Sequence, residues 1–389
     1  MTSRLHVLMI SLDDGLFLDR ATARGDVQDR MLRYAEGLAS LTCVVYARRV
    51  KGFTARQLAP NLRALPTNSL ARPLLPFDAW RLAARVARQT RADVVTTQDP
   101  FTTALAGLAL RRAHGIPLNV QVFTSFLENP YWSASGPGHR LLHHLGRAVL
   151  KRADTVRVES AIERERVLRL GVPADRVWVI PLLVNVARFT TADGTRMRGR
   201  LLRTDEDRLV LYVGRLAPEK DLETLLRAVP MLVAKRPGTR VAIVGDGPEE
   251  PRFRRLAAAL GVEPHITFTG RVAYDDLPSY VAACDVFVLP SRYEGIPTVL
   301  IEAALCAKPV VTTRTPNVTD VMEEGTTGFT VPQGCRDLLA HRVLELLEDP
   351  ELASAMGRRG RELVMARYDP ERIYRDLLAM WEATAALRR

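Results

Sequence analysis

Two glutamates stand in the stretch SRYEGIPTVLIEAALCAKPVV, residues 291–311. Glu294 lies in a short Gly/Pro loop; Glu302 lies between Val299-Leu300-Ile301 and Ala303-Ala304-Leu305, a segment apolar nearly all round. Such a segment reads as buried, and a buried carboxylate without a partner is costly. A sugar diol would satisfy it with two hydrogen bonds; a buried arginine, or the end of another helix, would satisfy it equally. A second stretch, YVGRLAPEKDLETLLRAV (212–229), is a strand, Gly214, then a helix, with Arg215 and Lys220 beside the turn. Helix N-termini favour anions and a loop glycine lets backbone approach a phosphate, so these cations could clamp a diphosphate. They could equally be solvated, with Glu219 complementing the helix dipole. The Gly-x-Gly-Pro turn of VAIVGDGPEEPRF (241–253) reads as tight strand-to-helix packing.

The elements that position these residues alternate. Short Val/Ile/Leu runs predict strands at 5–11, 42–47, 93–97, 118–123, 154–158 and 176–180, then at 209–214, 240–244, 265–269, 285–290, 308–312 and 328–331. Amphipathic patterns between most of them predict helices at 27–39, 78–90, 101–113, 137–152, 160–170, 221–235, 250–260 and 336–347. This alternation predicts an α/β chain with parallel sheets covered on both faces. CDVFVLPS is then a strand ending at Pro290, and RYEGIP is the loop at its carboxyl end, followed by a helix with Pro297 in its first turn. Ligands of open parallel sheets bind outside the carboxyl ends of strands, which puts Glu294 and the free N–H groups after Gly295 in the crevice. The pattern pauses at 181–208, which predicts a domain junction near 185–208 and two doubly wound domains, 1–190 and 191–368. Ile373, Leu377, Met380 and Trp381 give the last segment, 369–389, the spacing of a helix with one packed face.

Composition excludes several classes. At 389 residues, 47% hydrophobic and 25% charged, the chain can bury substantial cores. No apolar run approaches the roughly 20 residues of a membrane span. RLHVLMIS, followed by DDG, reads as a first strand rather than a secretory leader. Four cysteines (Cys43, Cys284, Cys306, Cys335) without a CxxC pair indicate neither a zinc site nor a disulfide framework, and a reducing cytoplasm fits. Residues 1–190 carry 27 Lys+Arg against 15 Asp+Glu, and residues 191–389 carry 28 against 29. A basic half joined to a neutral half suggests that only the first meets a polyanion, such as an anionic membrane face or a phosphorylated acceptor. HRLLHHLGRAVLKR (139–152) is a basic amphipathic segment that fits a membrane surface or a helix packed on its own sheet. The charge is spread and no nucleic-acid module is present, so no nucleic-acid partner is expected.

GRLAPEKD, GDGPE, FTGRV, LPSYVAACDVFVLPSRYEGIPTVLIEAALCAKPVV and EEGTTGFTVPQG together resemble the C-terminal half of GT-B glycosyltransferases of the GT4 type, over roughly 208–366. ARGDVQDRMLRYAEGLASL, DVVTTQDPFTTALA, IPLNVQVFTSFLENPYW and LKRADTVRVES resemble a branch of the same family linked to surface-polysaccharide assembly. The resemblance implies two Rossmann-like domains facing a cleft, with a C-terminal helix crossing back to the N-terminal domain. It implies that Arg215 and Lys220 hold the donor diphosphate, that Glu294 faces the transferred sugar and that Glu302 binds ribose hydroxyls. Backbone at Gly214, Gly295, Ile296, Pro297 and Thr298 would reach the donor, and Arg271 and Val272 would cradle the base. Gly25, Asp26, Asp99 and Thr124, with Glu128 nearby, would lie on the acceptor side.

The activity so implied is retaining transfer from a UDP-, GDP- or ADP-sugar to a hydroxyl, on a lipid-linked or surface-polysaccharide intermediate, with no cofactor and no metal. The enzyme would be cytoplasmic and peripheral on the inner face of the plasma membrane. The triplet Asp205-Glu206-Asp207 reads as a solvated turn rather than a metal site. Phe123, Thr124 and Ser125 stand where family members commonly carry His-Thr-Asp, and a phenyl ring neither takes a proton nor bonds an oxygen. That departure sustains two alternatives: a catalytically silent nucleotide-sugar-binding partner subunit, and a sugar-nucleotide 2-epimerase, which would need further acid/base residues. TPNVTDVM also lacks the glycine pair usual in the family.

Overall fold

A computed structural model describes residues 5–19, 26–134 and 136–388. The chain forms two compact units, Met1–Val184 with Pro370–Arg389, and Asn185–Asp369.

The first unit holds eight strands: β1 (His6–Ser11), β2 (Ser40–Val45), β3 (Arg56–Ala59), β4 (Leu62–Pro66), β5 (Val94–Thr97), β6 (Leu118–Val122), β7 (Thr155–Val158) and β8 (Val177–Val179). They lie in the order β3-β4-β2-β1-β5-β6-β7-β8. All neighbours are parallel except the β3–β4 hairpin at one edge. That hairpin is absent from the strands expected above. Its pieces are short, broken by Pro60-Asn61 and carry Arg56 and Arg63, so they make no continuous apolar run.

The two faces of this sheet differ. Val120, Val122, Val156 and Val158 enter an apolar core. The opposite face carries a buried polar ladder. The Thr96 hydroxyl donates to Asn119 Oδ1 at 2.8 Å, the Asn119 amide to Thr155 Oγ1 at 2.9 Å, and the Gln121 amide to Thr96 Oγ1 at 2.7 Å. Thr155 meets Thr384 of the terminal helix, Pro370–Ala385, at 2.7 Å. This helix packs Ile373, Leu377, Met380 and Trp381 inward, and Trp381 sets its ring edge-on to Tyr34 at 5.8 Å between centroids.

The second unit holds β9 (Arg208–Val213), β10 (Thr239–Val244), β11 (Ile266–Gly270), β12 (Val286–Leu289), β13 (Val310–Thr313) and β14 (Gly328–Val331). The sheet is parallel in the order β11-β10-β9-β12-β13-β14. The winding therefore reverses between β9 and β12, which makes the carboxyl ends of those two strands a ligand crevice.

The unit boundary falls at Val184/Asn185, earlier than the expected 190/191. The stretch read as a junction contains two short helices, Val186–Thr190 and Thr195–Leu201, which bury Phe189 and Met197. Asp207 is also not solvated. It is 4% exposed and accepts from Arg203 N–H at 2.9 Å and from Arg240 Nε at 3.1 Å. Burial opposes its charge, yet these donors hold its carboxyl below the usual range.

The Gly-x-Gly-Pro turn is a close backbone approach, as its glycines suggest. Gly245 has φ +138°, and a Cβ there would sit 1.9 Å from the Gly214 carbonyl oxygen. One at Gly247 would sit 2.2 Å from that of Leu216. Gly245→Ala should therefore destabilise the second unit by about 1–3 kcal/mol or more, through overpacking and strain. Trp381→Ala should cost about 3–5 kcal/mol. Urea unfolding of each variant measures both.

Candidate functional site

In the second unit, β9 leaves the sheet at Gly214, whose N–H donates to Val244 O at 3.0 Å. A single 3-10 turn, Pro218–Lys220, follows, and the long helix begins only at Leu222. Lys220 is thereby presented in the turn rather than along the helix. β12 leaves the sheet at Pro290, and its loop carries Ser291, Arg292 and Glu294. The Lys220 ammonium bonds both Glu294 oxygens, at 2.7 and 2.9 Å. The Ser291 hydroxyl donates to Glu294 Oε1 at 2.5 Å. The two loops are further tied by Arg292 N–H to Glu219 O at 2.9 Å and by the Arg292 guanidinium to Asp221 Oδ1 at 3.2 Å. An ammonium has three donors, so Lys220 keeps one for an incoming anion.

Arg215 is exposed beside this pair, with no side-chain partner among the described residues. Its backbone carbonyl accepts from the Tyr212 hydroxyl at 3.1 Å. Burial, then the nearby Glu294 and Glu219 carboxylates, push the Tyr212 pKa up, so it stays a donor. The helix that follows the Glu294 loop is Thr298–Leu305, with Pro297 as its N-cap rather than inside its first turn. Gly295, Ile296 and Thr298 are half-buried at that entrance. Glu302 is 6% exposed, and the Tyr274 hydroxyl donates to its Oε1 at 3.2 Å. Tyr274 belongs to the loop after β11 that also holds exposed Arg271 and half-buried Val272. The carboxyl end of β11 is thus linked to the Glu302 helix.

Sequence reasoning passed over Ser291, Thr315 and Asn317. The last two follow β13 in the segment noted for its missing glycine pair. Both are buried, at 3% and 1% exposure. Asn317 Nδ2 donates to the Glu294 carbonyl at 3.4 Å. Among the described residues, the Thr315 hydroxyl and Asn317 Oδ1 have no hydrogen-bond partner. Their one legible signal is polar residues directly after a buried strand's carboxyl end.

In the first unit, Gly25 lies outside the described residues. Asp26 N-caps helix Val27–Ala35 in position only; its side chain makes no capping bond and instead meets Arg30 at 2.5 Å. Asp99 is buried. Its Oδ1 accepts from Phe101 N–H at 2.6 Å at the start of helix Thr102–His114, while its Oδ2 has no hydrogen-bond partner among the described residues. Burial raises its pKa, against the Thr103 and Phe101 hydrogen bonds. Thr124 is exposed. Glu128 is held by Arg169 in a fork, at 2.8 and 2.7 Å, and that guanidinium keeps its carboxyl below the usual range. Phe123 stacks on the buried Arg157 guanidinium, 5.3 Å from ring centroid to Cζ. No helix among the described residues is long and apolar enough to cross a membrane.

The profile of the Glycosyl transferases group 1 family matches residues 193–363, and that of Glycosyltransferase Family 4 matches residues 27–188. The chain is 31% identical, over 67% of its length and 68% of the other, to an alpha-D-kanosaminyltransferase of Streptomyces kanamyceticus. It is 34% identical, over 60% of its length and 65% of the other, to a GDP-mannose-dependent alpha-(1-6)-phosphatidylinositol monomannoside mannosyltransferase of Mycobacterium tuberculosis. In shape it is similar to the sucrose-phosphate synthase of Thermosynechococcus elongatus, with TM-score 0.84 and 24% identity over 98% of this chain and 100% of that one. With profiles of one family on both units and two parallel-sheet α/β units of the GT-B kind, this chain belongs to glycosyltransferase family 4.

Proposed function

We propose that this protein transfers a glycosyl group from a nucleoside-diphosphate sugar to a hydroxyl, with retention of configuration and without a bound metal. The observation that carries the reading is the Lys220–Glu294 pair across the β9/β12 reversal, with Arg215 exposed beside it. The donor diphosphate meets Lys220, Arg215 and the N–H groups opening helix Thr298–Leu305. Glu294 faces the transferred sugar and Glu302 takes the ribose hydroxyls. The difficult event is departure of the nucleoside diphosphate from an oxocarbenium-like centre. Preorganised cations and N–H groups stabilise the charge that develops on the leaving oxygen. That oxygen then takes the acceptor's proton on the same face, so the step needs no side-chain base and tolerates phenylalanine at 123.

The relatives' names support a lipid-linked or glycan acceptor handled by the first unit. The face of helix Pro137–Leu150 that carries Arg140, His144 and Arg147, with Leu141 71% exposed, supports contact with an anionic membrane. The silent-subunit reading draws on Phe123; the intact Lys220–Glu294 pair favours turnover.

A thermal-shift screen with UDP, GDP, ADP and their sugars, with and without EDTA, should show one base that raises the midpoint in both. No shift with any of them would remove the donor site from this reading. With that donor, Lys220→Ala should lower kcat by about 10²–10³-fold or more; near-normal turnover would sink the assignment. Flotation should recover more protein on anionic than on neutral vesicles, and equal recovery would rule out an electrostatic membrane role.

A further inference from the structure

Glu159 follows the last residue of β7 at the carboxyl end of the first unit's sheet. Side chains alternate along this strand, so Glu159 continues the polar face of Thr155 and Arg157 while Val156 and Val158 enter the core. The register Val122↔Val158 brings it beside Phe123, which follows the last residue of the neighbouring β6. Glu159 is 8% exposed. Among the described residues its carboxyl makes no hydrogen bond and no ion pair. A buried carboxyl in that condition costs stability, so it contributes something other than stability.

The charges around Glu159 are engaged elsewhere. The Arg157 guanidinium donates to Ile180 O at 2.9 Å, Gln121 Oε1 at 3.1 Å, Tyr34 OH at 3.3 Å and Pro181 O at 2.5 Å. Arg30 is on Asp26 at 2.5 Å and 3.9 Å from Asp13. Glu163 is bound by Arg166 and by Ser125. Burial raises the Glu159 pKa to about 8; Arg157 and Arg30 oppose the rise, and Glu163 adds to it. Near neutrality the group is therefore mostly a carboxylic acid, at once a donor and an acceptor. A substrate hydroxyl has the same dual character. A phosphate would call for free cations, and here they are engaged.

We propose that Glu159 is the polar contact that the first unit's strand edge offers to a hydroxyl of a polyol acceptor, donating a hydrogen bond through its own proton. The proposal rests on the glycosyl-transfer reading above. Phe123 cannot make this bond, and the next strand supplies it. Ligands of parallel sheets sit outside the carboxyl ends, where this side chain stands.

The test compares wild type, Glu159→Gln and Glu159→Ala, with the donor found by thermal shift, at pH values on both sides of the titration near 8. Wild-type kcat/KM for the acceptor should fall above that pH. Glu159→Gln keeps a donor but cannot titrate, so its lower kcat/KM should no longer fall there. Glu159→Ala should lose about tenfold, the worth of one hydrogen bond. The folded pKa lies above the unfolded value of 4.5, so the neutral form's stabilisation is present below 4.5 and lost as pH rises through about 8. Glu159→Gln should therefore raise Tm at alkaline pH, a consequence of burial alone, so the loss of the alkaline limb in acceptor kcat/KM is what separates a ligand contact from a structural residue. An alkaline limb that persists in Glu159→Gln, or a Glu159→Ala enzyme equal to wild type, overturns the proposal. If wild type transfers to no acceptor, the transferase reading fails separately. The contact is then read from the thermal shift given by myo-inositol: a shift lost in Glu159→Ala upholds it, and an equal or absent shift overturns it.

Discussion

The second unit's chemistry depends on one topological constraint, the reversal of winding between β9 and β12. β9 connects to its neighbour β10 on one side, and β12 to its neighbour β13 on the other. At the reversal the two exit loops diverge to opposite faces and leave their carboxyl ends open. Lys220 and Glu294 are far apart in sequence and are brought within 2.7 Å only because their strands are neighbours there. Neither charge is fully solvated, at 22% and 10% side-chain exposure. Each therefore depends on the other, and loss of one would leave a partly desolvated charge unpaired. The Ser291, Arg292 and Asp221 bonds keep the loops in register.

The first unit uses its sheet differently. One face is apolar in the usual way. The other buries a ladder of Thr, Asn, Gln and Arg side chains, satisfied from strand to strand and by the terminal helix. A network of this kind is stable only when every member is paired. Thr384 closes it from the far end of the chain, and Trp381 packs edge-on to Tyr34. The same face continues to the carboxyl edge, where Arg157 is held among neutral acceptors under Phe123 and the next position is Glu159. The aromatic ring at 123 is thus part of a packed cation site, which gives it a structural reason independent of catalysis.

The two edges present opposite kinds of polarity. The second unit offers a fixed ionic pair, Lys220 with Glu294. The first offers a neutral acid among committed arginines, suited to an uncharged hydroxyl.

Much of this was legible in the sequence because its signals are local. Apolar runs marked the inner strands of the second unit, since a strand buried on both faces has few polar positions to interrupt it, while the half-buried edge strand β11, ITFTG, was marked by its β-branched and aromatic residues. Loops at strand ends located Lys220, Arg215 and Glu294, and paired glycines marked the close approach at Gly245. Short edge elements were not legible: β3 buries no side chain, β4 buries Leu62, Ala64 and Leu65, and the helices at Val186 and Thr195 bury one side chain each. Nor were the partners of buried polar groups. Asp207 reads as part of a solvated triplet until Arg240 is placed over it, Glu128 reads as an acceptor-side contact until Arg169 grips it, and Glu302 meets Tyr274 from another loop. Sequence determined the elements, their kind and the residues with chemistry to offer, because periodicity and turn chemistry act over a few residues. Tertiary structure alone determined which of those residues are paired and which remain for a ligand, because burial and partnership are set by strand order.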